Sequence, residues 1–350
     1  MGRIPNAGRG SLLAVPFISA VFLSTVVRVS PLHGQVEEAT FRVPSCGGCV
    51  WVKGNTHTHT LESDGDSDPE VVARWYKEHG YDFLVISDHN VLYDPGRLAH
   101  LVDSTFLLVP GEEVTSGFQD KPVHLNGLNL HTLVEPREEG TLVGTIQANV
   151  DGIRAENGIP HINHPNFGWA FGARELAQVR DYRLLEIFNG HPSVHNPGGG
   201  GYPGMEEIWD ILLTRGHRIY GIAVDDAHHF QGEFSRDRAN PGRGFVVVQV
   251  PRLDAGSIMA ALEDGRFYAS TGVELEDVVV EPKALEVRVK TRGSFRYTTQ
   301  FIGEGGRVLE IVHGPVARFQ LTRFQPYVRA RVQDSGGAVA WVQPVFVETK

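Results

Sequence analysis

The chain has 350 residues, 41% hydrophobic and 21% charged, which excludes intrinsic disorder and, at roughly 150 residues per domain, suggests two domains. Lys and Arg number 32 against 42 Asp and Glu, a net charge of −10, which argues against nucleic acid or an anionic membrane as a partner recognised by bulk charge. Two Cys can build neither a disulfide framework nor a four-Cys zinc site, so the 16 His, several of them clustered with Asp and Glu, are the feature to explain.

Arg3 and Arg9 precede an apolar run over residues 11–27, and polar sequence resumes at Arg28. A charged start before an apolar stretch short for a membrane span reads as an export signal. Gly34 is the best small residue to cut after, but Leu32 stands where a second small residue belongs. Residues 1–35 are therefore expected to be a cleaved signal peptide or a retained N-terminal anchor. Either way the body belongs outside the cytoplasm, periplasmic or extracellular. Residues 36–50 form a linker that contains Cys46-Gly-Gly-Cys49. A strand follows this pair rather than preceding it, which predicts a local disulfide and not a thioredoxin-like redox site.

From 51 to 272, short apolar runs alternate with amphipathic segments. Strands are predicted at Val52–His59, Phe83–Ser87, Phe106–Val114, Val123–Leu130, Ile159–His164, Leu184–Asn189, Ile219–Val224 and Phe245–Val250. A helix starts at Pro69 with Asp68 as its N-cap, and others fit Thr141–Glu156, Met205–Thr214 and Ala255–Leu262. Such alternation predicts a parallel sheet, and this many units favour a β/α barrel over an open sheet. The pattern changes over 273–350 to short strands with turn signals such as Gly305-Gly306 and Gly336-Gly337 and no helix. That predicts a small all-β sandwich, with Phe319, Leu321 and Phe324 in its core.

The polar residues that stand out in the first domain fall at the C-terminal ends of predicted strands, the rim where barrel active sites sit. In His57-Thr-His59 both imidazoles face the same way on a strand. Asp64 follows in a turn that could swing its carboxylate over the same rim. His89 closes the second strand, and Gly111-Glu-Glu113 closes the third, with only one of its two Glu able to face the site. His124 opens the next strand. His161 and His164 face opposite sides, so one is a bystander, and Asp226 and His228 share a face. Together these supply six imidazoles and three carboxylates, enough for two or three divalent ions of the Zn²⁺, Mn²⁺ or Fe²⁺ type.

The order His57-x-His59, Asp64, His89, Gly-x-Glu113, His124, His164-Pro and Asp226-x-His228 resembles the PHP (polymerase and histidinol phosphatase) superfamily of metal-dependent hydrolases, over about residues 51–272. Glu186-Ile-Phe-Asn-Gly190, Gly265-Arg-Phe-Tyr-Ala-Ser-Thr-Gly272 and a following sandwich resemble its exported branch grouped with CehA/McbA-type metallohydrolases. The resemblance implies a distorted (β/α)7 barrel with a trinuclear site. By position, His57, His59, Glu113 and Asp226 would hold one ion, and Glu113 would bridge to a second held by His124 and His164. Asp64, His89 and His228 would hold a third. Some relatives carry His where this chain has Asp64, and the harder oxygen ligand keeps Mn²⁺ and Fe²⁺ beside Zn²⁺.

Divalent ions lower the pKa of bound water towards neutrality and so supply a nucleophile, which predicts hydrolysis of a small-molecule ester, with Asp226 and Glu113 central to catalysis. His191 or His195 could protonate a leaving group. Arg236, Arg238 and Arg243 are candidates to clamp a phosphate or belong to a solvated loop. Gly198–Gly201 reads as a flexible loop, or as a phosphate nest if the helix from Met205 starts at the site. Three readings stand: a phosphoesterase; a hydrolase of carboxyl or carbamate esters; and an exported binding module whose barrel is vestigial, a reading that lost ligands would favour, and none is lost.

Overall fold

Runs of Val, Ile, Leu and Phe between Gly, Asn and Asp form strands here because both of their faces are covered. A computed structural model describes residues 39–42 and 46–349; the expected export segment over 1–35 lies outside them. β1 (Ala39–Phe41) and β2 (Val50–Asn55) come first, and between them Cys46 and Cys49 are joined in the expected local disulfide. α1 (Pro69–Glu78) starts where predicted, with Asp68 at the N-cap position, although the Asp68 side chain makes no capping hydrogen bond. β3 (Phe83–Ile86) is buried throughout and pairs in parallel with β2.

β4 (Leu107–Phe118) outruns its predicted end and changes partner midway. Its first residues pair in parallel with β3, and Gly111–Phe118 pair antiparallel with β5 (Lys121–Leu128). This corrects the expectation of a wholly parallel sheet. Two residues, Gln119 and Asp120, link β4 to β5, with Gln119 at φ +57°, and so short a connection joins only antiparallel strands. α2 (Leu142–Ala155) follows, its N-cap Thr141 accepting from the Gly144 N–H at 3.0 Å. β6 (Ile159–Ile162) pairs antiparallel with β5. After the short α3 (Ala173–Leu176), β7 (Leu184–Asn189), α4 (Met205–Thr214) and β8 (Tyr220–Val224) return to parallel pairing, β6 with β7 and β7 with β8.

The run from β2 to β8 turns back on itself. Just past β2, Thr58 bridges in parallel to Ala227, just past β8. The His59 N–H donates to Ala227 O at 2.9 Å and the Asp226 N–H to His57 O at 3.0 Å. β9 (Phe245–Val250) then pairs antiparallel with β2, and after α5 (Ala255–Asp264) β10 (Phe267–Ser270) pairs antiparallel with β9.

The remaining elements are β11 (Leu275–Glu281), β12 (Ala284–Val289), β13 (Tyr297–Gly303), β14 (Arg307–His313), β15 (Val316–Gln320), β16 (Tyr327–Asp334) and β17 (Val339–Thr349). The chain is thus mixed α/β with one large central sheet, because β10 pairs with β9 on one side and with β17 on the other. β14, β13, β16 and β17 extend that sheet, and β11, β12 and β15 form a separate three-stranded one. Leu285, Val287 and Phe319 of the small sheet share a core with Phe301, Val328 and Val332 of the large one, and the Phe301 and Phe319 rings lie 5.4 Å apart. Phe319 and Leu321 are buried as predicted, but Phe324 is 53% exposed. β15 ends at Gln320, which leaves Phe324 in the loop beyond it.

The C-terminal strands are also held by charge. Arg329 of β16, only 1% exposed, donates from Nε and Nη2 to the Asp210 carboxylate of α4 at 2.8 and 2.5 Å, while Nη1 lies 2.9 Å from Glu206. Tyr327 Oη donates to the same Asp210 at 3.0 Å. Asp210→Asn would leave the buried Arg329 with Glu206 as its remaining counter-charge and is expected to lower unfolding stability by about 1.5–3 kcal/mol, read from urea denaturation; a loss under about 1 kcal/mol, the range of exposed pairs, would show that the pair is not holding the strands.

Candidate metal centre

Where β2 ends, the backbone delivers His57 and His59, both fully buried, to the seam with the loop after β8. Four atoms converge there: Nε2 of His57, Nε2 of His59, Oε2 of Glu113 and Oδ1 of Asp226. The two nitrogens are 3.1 Å apart. His57 lies 3.3 Å from Glu113 and 3.4 Å from Asp226, and His59 lies 3.2 Å from each. Ligands about 2.0–2.1 Å from one ion at tetrahedral angles stand about 3.3–3.4 Å apart, so each carboxylate oxygen stands close to one such edge from both imidazole nitrogens.

Glu113 owes its place to the crossover within β4. A Cβ on Gly111 would come within 2.5 Å of Val85 Cγ1 and 3.0 Å of Gly127 O, so only glycine lets β4 pass between β3 and β5 at this point. Alternation then sends Glu113 inward and Glu112 outward, as the sequence predicts for the pair. Glu112 accepts from the Val134 N–H at 3.0 Å, and burial pushes its carboxyl up to about 7. Glu113 presents both oxygens to the site. Oε2 also lies 3.0 Å from His89 Nδ1, and Oε1 lies 3.0 Å from His124 Nδ1 and 3.3 Å from His164 Nε2. His124 Nδ1 makes no hydrogen bond despite this approach. A buried nitrogen left so is costly for a protein and natural for a ligand.

A further group forms around Asp64, whose oxygens lie 3.6 Å from His59 Nδ1, 3.6 Å from His89 Nε2 and 3.3 Å from His228 Nε2. Four clusters compact enough to hold an ion result: His57, His59 and Asp226; His57, Glu113 and His164; His89, Glu113 and His124; and His59, Asp64, His89 and His228. All nine residues singled out in the sequence are therefore in one place. His57, His59 and His89 each belong to two clusters, which a sequence order cannot express. The imidazole and carboxylate donors suit Zn²⁺, Mn²⁺ or Fe²⁺. Burial alone would raise the Glu113 and Asp226 carboxyls; the surrounding imidazoles, His57 foremost, outweigh it and hold both well below the usual range.

A ring of buried polar groups fixes these side chains. Glu186, on β7, accepts from His57 Nδ1 at 2.7 Å, from the His164 N–H at 2.8 Å and from Asn189 Nδ2 at 2.9 Å. Asn189 also donates to Asp226 Oδ2 at 3.0 Å, and Asn163 donates to Glu113 Oε1 at 2.9 Å. Asp226 itself sits at φ +49°, a left-handed conformation that costs a non-glycine residue about 1–3 kcal/mol. Its neighbour Asp225 pins that loop, accepting from the N–H groups of Gly242, Arg243 and Gly244 and from Tyr76 Oη. The sequence reading assigned no role to Glu186, Asn163 or Asn189. The signals for Glu186 are its place in the Glu186-Ile-Phe-Asn-Gly190 motif and a charge inside the apolar strand Leu184-Leu-Glu-Ile-Phe-Asn189.

The other expected residues are placed unequally. His191 and Phe167 line the cavity of about 120 Å³ over the ligands. Phe167, missed in the sequence, packs 5.3 Å from the His164 ring. His161 is buried behind the site, 3.6 Å from Glu186, the bystander of its pair. His195 stacks on Trp169 with ring centroids 4.7 Å apart and does not line this cavity. Arg238 reaches Asp66 and Gln231 O, Arg243 donates to backbone carbonyls, and Arg236 is exposed. Gly198–Gly201 form a turn closed by Gly199 and Tyr202 and do not line the cavity either.

No protein-family model matches the chain, and no curated protein matches it in sequence. Among solved structures, a two-domain protein from Bacteroides vulgatus containing a predicted PHP-like metal-dependent phosphoesterase is similar at TM-score 0.51 and 16% identity, covering 84% of this chain and 93% of that one. An amidohydrolase from Chromobacterium violaceum, with bound sulfate and no metal, covers 53% of this chain and 93% of its own at TM-score 0.35 and 14% identity, too loose an overlap to carry an argument. The likeness to the first is one of fold, extending over both parts of the chain.

Because Glu186 holds the Nδ1 proton of His57 and thereby turns Nε2 towards the cluster, Glu186→Gln should weaken metal binding about 10–100-fold. Competition against a chromophoric chelator measures this, and an unchanged affinity would show that His57 is oriented without it.

Proposed function

We propose that this chain is a metal-dependent phosphoesterase of the PHP superfamily. In this reading β2 to β8 form a distorted (β/α)7 barrel over residues 51–272, and 273–350 form an appended β-sandwich. The observation that carries the proposal is the convergence of buried imidazoles and carboxylates, with Nε2 of His57 and of His59 each 3.2–3.4 Å from a Glu113 oxygen and an Asp226 oxygen and four overlapping clusters compact enough for an ion. Those four would hold one divalent ion, Mn²⁺, Zn²⁺ or Fe²⁺. Glu113, His124 and His164 would hold a second, and Asp64, His89 and His228 a third.

Such ions, when bound, lower the pKa of water and neutralise charge that builds on phosphoryl oxygens. The chain's own residues do the rest. Glu113 offers one oxygen to each side of the site and so fixes the spacing of the groups around it. Phe167 covers the imidazoles of His124 and His164 and excludes bulk water. His191, half-buried at the mouth, has its charged form disfavoured by burial and is placed to relay a proton from water to the departing alcohol. Asn189 holds Asp226 through one oxygen and leaves the other to the cluster.

A second reading, hydrolysis of a carboxyl or carbamate ester, is favoured by one observation: among the described residues no Arg or Lys lines the cavity over these groups, so nothing there beyond ions demands an anionic substrate. Export, with residues 1–35 as signal or anchor, belongs to the proposal and is supported by the Cys46–Cys49 disulfide. Among the described residues no helix is long and apolar enough to cross a membrane.

The test is a panel of nitrophenyl phosphate mono- and diesters, carboxyl esters and an aryl carbamate, on chelator-treated protein reloaded with Mn²⁺, Zn²⁺ or Fe²⁺. Activity is expected on phosphate esters, abolished by chelation, restored by one of the ions and absent in Asp226→Ala. Full activity after chelation, or an Asp226→Ala variant at near-full rate, refutes the site. Turnover confined to carboxyl or carbamate esters selects the second reading.

A further inference from the structure

Beside the metal-ligand cavity lies an open cleft of about 640 Å³, between the loop after β7 and the loop over 234–243. His191 lines both, so a molecule with its reacting atom at the ligands finds its next space in the cleft. The walls are largely apolar, with Phe188, Pro192, Phe234 and Pro241 among them. Arg243 sets their separation. Its Nη1 donates to Gly190 O at 2.7 Å and its Nη2 to Ser235 O, while its backbone N–H is held by Asp225. One side chain thus ties the two loops together beside the ligand Asp226. Gly190 permits this closeness, since a Cβ there would meet Asp225 O at 2.7 Å and Arg243 Cβ at 2.9 Å.

The charge of the cleft is unlike that of the molecule. In a chain of net charge −10, the described residues that line the cleft include two Arg and no carboxylate. The amides in it are occupied. Asn189 holds Glu186 and Asp226, Asn196 bonds the Asn189 backbone at both ends, and Asn240 holds the Ser235 N–H and His229 O. Arg243 is engaged by carbonyls. Arg236 is exposed, and neither its sequence neighbours Glu233 and Asp237 nor any other described carboxylate pairs with it. A free guanidinium in a carboxylate-free cleft is a receptor for an anion.

We infer that this cleft holds the departing part of the substrate and that Arg236 binds an anionic group on it. The substrate class is then a phosphoester whose alcohol carries a second negative charge, carboxylate or phosphate. This rests on the phosphoesterase reading. In the reaction the oxygen of water bonds to phosphorus as the P–O bond to the alcohol breaks. One water proton remains with the phosphate, the alcohol gains the equivalent of the other, and the group on Arg236 keeps its charge.

The experiment compares kcat/KM of the metal-loaded full chain for 4-carboxyphenyl phosphate and 1,4-phenylene bisphosphate against the uncharged amide, 4-carbamoylphenyl phosphate. A preference of at least about threefold for one or both anionic esters is expected, mainly in KM, and the two arms tell carboxylate from phosphate. The preference should fall to about one in Arg236→Ala and persist in Arg236→Lys. Parity in the native chain, or a preference that survives Arg236→Ala, overturns the inference and leaves the phosphoesterase reading standing. If no phosphate ester turns over, that reading fails, and calorimetric binding of 4-carboxyphenylphosphonate against 4-carbamoylphenylphosphonate decides the cleft. Tighter binding of the first, lost in Arg236→Ala, upholds it, and equal or absent binding of the two overturns it.

Discussion

The carboxylate of Glu113 is the point on which the rest of the site turns. Five imidazoles, those of His57, His59, His89, His124 and His164, approach it to between 3.0 and 3.3 Å, and they arrive from four different stretches of chain. Moving that carboxylate by one residue of register would send it to the opposite face of β4, where Glu112 now lies. The switch of β4 from a parallel to an antiparallel neighbour, the narrow passage at Gly111 and the amide of Asn163 all serve to hold one side chain still. A buried anion needs a compensating charge; protonated imidazoles supply it when no ion is bound, and a divalent ion, which binds neutral imidazoles and carboxylates, would release those protons and take over that role.

Much of this was legible in the amino-acid sequence, for physical reasons. His57 and His59 announce themselves because two side chains on one side of an extended chain must skip a residue; Asp226 and His228 show the same spacing but come together through a left-handed turn at Asp226. Glu112 and Glu113 could be told apart in principle by the same alternation. Glu186, Asn163 and Asn189 have no such spacing, and most of the groups they hold are distant in sequence: His57 for Glu186, Glu113 for Asn163 and Asp226 for Asn189. The antiparallel return of β5 was hidden because the Gln119-Asp120 turn lacks the Gly that marks a tight hairpin. Phe324 looked like core because aromatic residues on short strands usually are, and it falls outside once β15 stops early.

The two parts expected from composition are less separate than their patterns implied. β10 belongs to the first by sequence and pairs with β17 of the second, so the large sheet runs through both without interruption. Arg329, reaching from β16 to the carboxylates of α4, adds a polar fastening where apolar packing alone would permit sliding. The similarity to the Bacteroides vulgatus structure spans 84% of this chain, so both parts share in that likeness.

The bridge between Thr58 and Ala227 has a wider meaning. The backbone atoms that stitch the first strand of the run to its last belong to His57, His59, Asp226 and Ala227, most of which carry donors. Sewing this seam also brings the candidate donors of His57, His59 and Asp226 together. An ion gripping both edges would add its affinity to the free energy of closing the fold, and a chain whose seam stayed open would have nothing with which to grip.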